Sequence, residues 1–274
     1  MRYLRVGAVL LFIVSLALNL MGNARYKARQ DTTRPVIESS IDHLQLTVEE
    51  GTASLKQGLT AHDKEDGDLT ENILVASTSY FVEKGTINAN YVVFDGGHNS
   101  ASYTRKVTFT NYESPRFSLD QPLIFYQGQN IRYLNYIRAS DCLDGDLTGQ
   151  IKVVKANVSN YTVGIYPMLL EVSNSFGDRA QVELTLVVKS VSSRAPEIFL
   201  KNYIVYLKAG QSFDPHSLVQ SVRAFGTGES LPVSEVTVLG SVDTDTPGCY
   251  QLAYSYTQDG HEGRAYLSVV VEGD

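Results

Sequence analysis

Two acidic turns contain the residue types in this sequence that are best suited to chemistry. They lie in residues 61–75 and 139–153, and both include the pentapeptide Asp-Gly-Asp-Leu-Thr. Each turn places three aspartates within six residues, namely Asp63, Asp66 and Asp68 in the first turn and Asp141, Asp144 and Asp146 in the second. Carboxylate oxygens are hard ligands, and Ca²⁺ takes about six to eight of them. These six aspartates are therefore the candidate ligands of a weakly bound Ca²⁺.

The same aspartates also fit a purely structural role. Their spacing is not that of an EF-hand loop, and three carboxylates from one turn are too few for Ca²⁺ without other ligands. Aspartate side chains in turns commonly accept hydrogen bonds from nearby backbone amides. In that interpretation Asp66 and Asp68 fasten the turn and Asp63 ends the preceding strand. The sequence leaves both interpretations open and predicts no other cofactor.

No catalytic constellation is visible in the sequence. The five histidines are scattered, and neither an H-E-x-x-H motif nor a G-x-S-x-G motif occurs. Both motifs hold their groups at fixed spacings because a zinc site or a nucleophile elbow needs that geometry. We therefore predict no catalytic residues and a protein that is not an enzyme.

The acidic turn belongs to a longer repeat. Matching residues of its two copies are 78 positions apart, and prolines precede a large apolar residue by two positions at Pro35, Pro115 and Pro196. Proline is tolerated at the first residue of an edge strand, so each proline is a plausible domain start. The sequence predicts three domains, which span residues 33–110, 112–189 and 193–272. These are called the first, second and third domain below.

Within each domain short runs of alternating apolar and polar residues are separated by Gly, Asn and Asp turns. This period of two is typical of antiparallel β-strands. The predicted fold class is all-β: three tandem β-sandwiches of six or seven strands, preceded by one N-terminal hydrophobic helix. Gly67 and Gly145 are predicted to adopt a positive φ in the acidic turns. The third domain replaces that turn with residues 224–230 and is the divergent one.

Residues 1–29 form a membrane anchor or a signal segment. Residues 6–21 are almost entirely apolar and are flanked by basic residues. A helix of that length spans about 24 Å, somewhat less than the roughly 30 Å hydrocarbon core of a bilayer. Two alternatives are open. The segment either stays as a single-pass anchor with the C-terminal domains extracytoplasmic, or is cleaved as a signal peptide so that the protein is secreted.

Charge is distributed unevenly along the chain. The formal net charge is −7, yet residues 1–29 contain five basic residues and no acidic ones, which leaves 18 basic and 30 acidic residues in the remainder. An acidic body of this kind is repelled by phosphate backbones. The composition therefore argues against nucleic acid as a partner.

The residues of the repeat resemble bacterial immunoglobulin-like domains. The resemblance rests on A-x-D-x-x-D-G-D-L-T followed by I-x-V, then on a G-x-Y-x-x-x-Y segment and a Gly-Asn-like turn. It is strongest in residues 33–110 and weakest in residues 193–272. Such domains occur in tandem on bacterial surface proteins and in an insecticidal crystal protein. The resemblance implies immunoglobulin-like sandwiches with an extracytoplasmic spacer or adhesion role and no catalytic residues.

Together these features predict a membrane-anchored extracytoplasmic rod that acts as a spacer or binds a surface protein. Functional variation concentrates in loops, so the divergent loop of the third domain is the candidate partner contact, through Arg223, Phe225 and Glu229. Loop drift without selection is the open alternative for that loop. The alternative function is a carbohydrate-binding module for cell-wall or host glycans. That function requires a row of exposed aromatic side chains on one sheet face.

Overall fold

The computed structural model describes residues 11–22 and 31–273. Within residues 31–273 the chain is all-β, as predicted, and its strands form six sheets arranged as three pairs. Residues 11–22 form an exposed helix. No helix in the described part of the chain is long and apolar enough to cross a membrane. Residues 1–10 and 23–29, which complete the predicted anchor or signal segment, lie outside the described residues.

The strands are numbered here in chain order, seven to a domain. The first domain contains β1 (Val36–Ser39), β2 (His43–Leu46), β3 (Leu59–Asp63), β4 (Gly67–Asp68), β5 (Leu74–Thr78), β6 (Thr86–Phe94) and β7 (Ser100–Phe109). The second contains β8 (Arg116–Leu119), β9 (Ile124–Tyr126), β10 (Ile137–Asp141), β11 (Gly145–Asp146), β12 (Lys152–Ala156), β13 (Gly164–Ser173) and β14 (Arg179–Lys189). The third contains β15 (Glu197–Leu200), β16 (Ile204–Lys208), β17 (Val219–Arg223), β18 (Ser230–Leu231), β19 (Thr237–Leu239), β20 (Gly248–Gln258) and β21 (His261–Glu272). Short 3₁₀ turns connect them at Thr52–Lys56, Thr70–Asn72, Tyr133–Tyr136, Thr148–Gln150, Pro215–Leu218 and Val233–Glu235.

Each domain pairs a three-stranded sheet with a four-stranded sheet. The three-stranded sheets have the orders β1-β3-β4, β8-β10-β11 and β15-β17-β18. The four-stranded sheets have the orders β2-β7-β6-β5, β9-β14-β13-β12 and β16-β21-β20-β19. Pro35, Pro115 and Pro196 each directly precede the first strand of a domain, where a missing N–H costs no ladder hydrogen bond. This arrangement is consistent with immunoglobulin-like β-sandwiches.

The interpretation of the alternating runs as antiparallel strands does not hold for one strand pair in each domain. β2 pairs with β7, β9 with β14 and β16 with β21 in parallel. The reason is that the second strand follows the first after a few residues, without a hairpin turn. The chain therefore keeps its direction while it crosses from one sheet to the other, and it meets the last strand in parallel.

The core of each domain follows the period of two. In β6, for example, Ile87, Ala89, Tyr91 and Val93 are fully buried, and in β14 Val182, Leu184 and Leu186 are. Long adjacent strands with such alternation hold the hairpin loops in a fixed register. The acidic turns lie in the three-stranded sheets, between β3 and β4 and between β10 and β11.

The described residues form two compact units, which divide between Thr110 and Asn111 and are called unit 1 and unit 2. Unit 2 contains both the second and the third domain, and their buried residues form one continuous cluster. Arg116, the first residue of β8, hydrogen-bonds to Glu272, the last residue of β21, through Nε to Oε1 at 3.1 Å and Nη2 to Oε2 at 2.7 Å. In an end-to-end rod these two residues would be two domain lengths apart. Within unit 2 the predicted rod is therefore wrong, and the two domains lie side by side.

Candidate functional site

The first acidic turn is built around a buried carboxylate. β3 alternates buried and exposed residues and ends on Asp63, whose side chain faces inward and is 1% exposed. Asp63 Oδ1 accepts hydrogen bonds from the backbone N–H groups of Glu65 at 2.8 Å and Asp66 at 3.1 Å. Burial alone would raise the pKa of Asp63, but the backbone donors outweigh it and the pKa is lowered. The charged form of Asp63 therefore holds the turn closed.

The other two acids of this turn also accept backbone hydrogen bonds. Asp66 Oδ2 accepts from the N–H of Gly96 at 2.6 Å, which ties the turn to the β6–β7 hairpin. Asp68 Oδ1 accepts from the N–H of Thr70 at 2.9 Å, and hydrogen bonds from Thr70 lower the pKa of Asp68. Gly67 lies between them with φ 77°, as predicted.

The second acidic turn repeats this arrangement closely. Asp141 Oδ1 accepts from the N–H groups of Leu143 at 2.8 Å and Asp144 at 3.0 Å. Asp146 Oδ1 accepts from the N–H of Thr148 at 2.9 Å, and Thr148 lowers the pKa of Asp146. Asp144 in turn accepts from the N–H of Ser175 at 2.6 Å and from its hydroxyl at 2.8 Å. In both turns the carboxylates have the partners that the structural interpretation requires.

The two turns differ in their ability to hold a cation. In the first domain the side chains of Asp31, Asp63 and Asp66 each place a ligand atom within 4.8 Å of the others. Asp31 Oδ2 is buried and has no hydrogen-bond partner among the described residues. Asp68 does not belong to this group. Asp31 was not predicted from the sequence, because it lies before the first strand and 32 positions before Asp63.

In the second domain the buried carboxylate of Asp141 has an amide as its partner. Asn174 Nδ2 donates to Asp141 Oδ2 at 3.2 Å and to the Tyr112 hydroxyl at 2.8 Å. The Tyr112 hydroxyl donates to Asp178 Oδ2 at 2.7 Å. These donors satisfy the carboxylates that would otherwise attract a cation. Asp141, Asp144 and Asp146 are therefore not brought together as a set of metal ligands.

The divergent loop of the third domain is exposed and internally bonded. The N–H of Ala224 donates to the carbonyl of Glu229 at 2.9 Å, and the N–H of Gly228 donates to the carbonyl of Ala224 at 3.1 Å. Phe225 at the loop tip is 48% exposed. The Arg223 guanidinium lies 5.1 Å from the centre of the Phe199 ring, and Glu229 is exposed. All three candidate contact residues therefore lie on the surface at one loop.

Among residues 31–273, exposed aromatic side chains do not form the row on one sheet face that a carbohydrate-binding face requires. On the long strands of the third domain Tyr254 and Tyr256 are buried. The most exposed tyrosines among the described residues are Tyr80 and Tyr161, and both lie in loops outside the strands. A polar recess of about 380 Å³ next to Tyr161 is lined by Asn130, Ile131, Tyr133, Ala156, Val158 and Asn160.

A buried arginine in the first domain was not found by sequence reasoning. Arg105 is 3% exposed and donates to the carbonyls of Leu55 at 2.8 Å and Gln57 at 2.7 Å. Its Nε also donates to the Tyr91 hydroxyl at 3.3 Å. The sequence does contain a signal for this buried position. The alternation of β7 places Arg105 on the inward face, between Tyr103 and Val107. Its role is to bind the carbonyls at the end of the Thr52–Lys56 turn.

Comparison with known proteins supports immunoglobulin-like domains. Residues 206–269 match the family described as Bacterial Ig-like domain (group 3). The match falls on the third domain, where the acidic turn is absent and the resemblance by motif is weakest. The pesticidal crystal protein Cry22Aa of Bacillus thuringiensis is 27% identical over 224 residues, which are 79% of this chain and 30% of that protein. This chain therefore spans less than a third of that relative's length.

Solved structures give weak overall superpositions. The lipoprotein BT2262 from Bacteroides thetaiotaomicron has a TM-score of 0.24 and 11% identity, covering 56% of this chain and 98% of that one. Mouse cadherin-23 EC22-24 has a TM-score of 0.21 and 12% identity, covering 88% of this chain and all of that one. The structure of CBM51-2 in complex with GlcNAc and INT domains from Clostridium perfringens ZmpB has a TM-score of 0.24 and 14% identity. The match covers 57% of this chain and 42% of that one. No function is inferred from scores this low.

Proposed function

We propose that this chain is a non-enzymatic extracytoplasmic module that acts as a surface spacer or binds a surface protein, tethered to the cell membrane through residues 6–21. The observation that carries the proposal is the structural role of the aspartates in the acidic turns. In both turns the carboxylates accept hydrogen bonds from backbone amides, so the most conspicuous polar residues of the sequence build loops. Such residues are committed to structure and are poorly placed for proton transfer or nucleophilic attack.

The partner surface in this proposal is the loop of residues 223–230. Arginine and aromatic residues are enriched in the centres of protein interfaces. The loop presents the half-exposed Phe225 ring with Arg223 and Glu229 nearby, and its internal hydrogen bonds keep it ordered before binding. An ordered loop loses less conformational entropy when a partner binds.

Cross-linking of the full chain in its own cells, with a reagent that does not cross membranes, tests both the location and the loop. We expect a discrete cross-linked product that Phe225→Ser abolishes. Tyr80→Ser is the matched control, because it removes an exposed aromatic residue from the first domain, and it should leave the product intact. The proposal is wrong if the reagent gives no cross-linked product with the wild-type chain. It is also wrong if Phe225→Ser and Tyr80→Ser reduce the product equally.

Cell fractionation followed by N-terminal sequencing tests the tether. We expect the chain to sediment with membranes and to keep residues 6–21. A released chain whose N terminus lies beyond residue 21 would contradict the tether and support the secreted alternative.

Carbohydrate binding is the second candidate function, and the recess next to Tyr161 is the observation that favours it. The recess is lined by Tyr133 and by Asn130 and Asn160, and the exposed Tyr161 follows Asn160 directly in sequence, so this region offers aromatic stacking and hydrogen bonding to a sugar. A glycan array would show binding that Tyr161→Ala removes and Tyr80→Ala preserves. An array without signal for the wild-type chain would exclude this candidate for the glycans present.

A further inference from the structure

The two ends of unit 2 are joined by a cluster of polar contacts, called here the clasp. Its centre is the paired hydrogen bond of Arg116 to Glu272. Arg116 Nη1 also lies 2.8 Å from Glu113 Oε2, and its guanidinium lies 5.1 Å from the centre of the Tyr206 ring. The Tyr206 hydroxyl accepts a hydrogen bond from the N–H of Phe117 at 2.7 Å. The start of the second domain is therefore attached to the end of the third.

Away from the clasp, domain three covers a free sheet edge of domain two. β9 pairs with β14 only along Val187–Lys189, so the backbone of Glu183 has no strand partner on that side. The N–H of Glu183 donates to Cys249 Sγ at 3.4 Å, and its carbonyl accepts a hydrogen bond from the Ser268 hydroxyl. Unpaired edge groups are otherwise open to pairing with other chains.

This interface combines the apolar cluster that runs through both domains with polar contacts that are incompletely satisfied. The Thr185 hydroxyl donates to Gln251 Oε1 at 2.8 Å, while Gln251 Nε2 is buried without a partner among the described residues. An unpaired buried amide disfavours closure, and the other hydrogen bonds are exchanged for bonds to water when the interface opens. Each domain also has its own sheet pair with inward-facing apolar residues, such as Leu184 in the second and Leu267 in the third. Separation exposes the apolar side chains through which the two cores touch, while the strand pairing within each sheet pair is retained.

We propose that unit 2 is a reversible latch, in which the Arg116–Glu272 clasp holds the second and third domains side by side and its release separates two folded sandwiches. Opening uncovers the Glu183 edge together with Gln251 and Ser268. Because the clasp joins the two ends of the unit, tension between those ends acts directly on it. The latch does not depend on the identity of the partner or on the extracytoplasmic location proposed above.

The two cysteines provide a test within one molecule. Cys249 lies at the interface and is partly buried, and burial raises the pKa of its thiol. Cys142 is exposed on the acidic turn of the second domain, where its Sγ donates to the backbone carbonyl of Glu113 at 3.3 Å and partial burial also raises the pKa of its thiol. It is the reference for an accessible thiol, because the Glu113 backbone, unlike the Glu113 side chain, takes no part in the ion pairs of Arg116. Thiolates react with disulfide reagents and thiols do not, so a buried thiol reacts slowly until it is exposed.

The experiment measures the labelling rates of both thiols in the full chain under native conditions. We expect Glu272→Gln to accelerate the labelling of Cys249 about tenfold and to leave the labelling rate of Cys142 unchanged. High salt should accelerate the labelling of Cys249 in the wild type, because salt screens a partly exposed ion pair. Glu171→Gln is the matched control. It removes the partner of Arg179, 4.0 Å away within the second domain, and should change neither labelling rate.

The latch is ruled out if the labelling rate of Cys249 does not respond to Glu272→Gln or to salt. It is also ruled out if Glu272→Gln unfolds the domain cores, as seen by loss of protection of the Leu184 and Leu267 amides.

Discussion

The aspartates of the acidic turns show how a single residue type can suggest one chemistry and perform another. Their clustering in sequence is compatible with Ca²⁺ binding, yet Asp63, Asp68, Asp141 and Asp146 each accept a hydrogen bond from a backbone amide of their own turn. The structural interpretation was accessible from the sequence because these bonds are local. Asp31, Asn174 and Tyr112 were not, because they reach the turns from distant parts of the chain.

Acid should weaken the fold through these residues. The pKa values of Asp63, Asp68 and Asp146 are lowered in the folded chain. Their ionised carboxylates therefore stabilise the fold fully above the unfolded-state pKa of about 3.9. This stabilisation is lost as the pH falls through the folded-state pKa values. We expect the melting temperature to be steady from pH 7 to about 5 and to fall below that. The double variant Asp68→Asn/Asp146→Asn, whose amide oxygens can still accept from Thr70 and Thr148, should show a shallower fall. Equal slopes for variant and wild type would disprove this.

Calcium should bind weakly, and only in the first domain. Asp31, Asp63 and Asp66 supply few ligands, and Asp63 and Asp66 already accept backbone hydrogen bonds. We expect calorimetry to show a dissociation constant no tighter than about 1 mM. Any heat should disappear in Asp31→Asn and persist in Asp144→Asn. Micromolar affinity, or heat that survives Asp31→Asn, would contradict this.

Arg105 should be among the most costly residues of the first domain to replace. Arg105→Leu introduces the residue found at the corresponding position of β14, Leu184. It removes the Arg105 hydrogen bonds to the carbonyls of Gln57 and Leu55, of which the Leu55 carbonyl keeps a bond from the Tyr91 hydroxyl, and it also removes the bond to the Ile41 carbonyl. Unsatisfied buried groups cost about 1–3 kcal/mol each, so we expect urea denaturation to show a loss of about 2–4 kcal/mol. Lys106→Gln on the exposed face of the same strand is the control and should change stability by no more than about 0.5 kcal/mol. A similar small effect of both changes would show that the carbonyls find other partners.

At the scale of the elements, local patterns in the sequence were informative and long-range pairing was not. The alternation of apolar residues, the prolines before the first strands and the glycines of the acidic turns all predicted features that the structure has. The parallel placement of β2, β9 and β16 was not predictable in this way. Their residues have the same alternation as antiparallel strands, and their direction is decided by a crossing between sheets.

The positive φ of Gly145 allows a sharp prediction about the second acidic turn. A Cβ at Gly145 or at Gly149 would have no heavy atom within 4 Å, so neither substitution by alanine creates a clash. Gly145 has φ 74°, whereas Gly149, four residues on, lies outside the positive-φ region. We expect Gly145→Ala to cost about 1–2 kcal/mol of unfolding free energy and Gly149→Ala to be neutral or slightly stabilising. Equal effects on chemical denaturation would show that the turn relaxes its backbone.

At the scale of the molecule, the repeat predicted how many sheet pairs the chain contains but not how two of them associate. The spacing of the prolines and of the acidic turns is local information repeated along the chain. The clasp joins residues 156 positions apart, and neither Arg116 nor Glu272 belongs to a motif. Such a contact depends on the complementary surfaces of two folded domains. Sequence periodicity does not report those surfaces, which is why the sequence suggested a rod.

The side-by-side arrangement of the second and third domains is the central claim, and a double-mutant cycle tests it most directly. The unfolding free energy of the full chain is measured for the wild type, Arg116→Gln, Glu272→Gln and the double variant. Both side chains are partly exposed, so we predict a modest coupling energy of about 1 kcal/mol, reduced by added salt. Domains that are separate in solution would give strictly additive effects, within about 0.3 kcal/mol, and that result would contradict the claim.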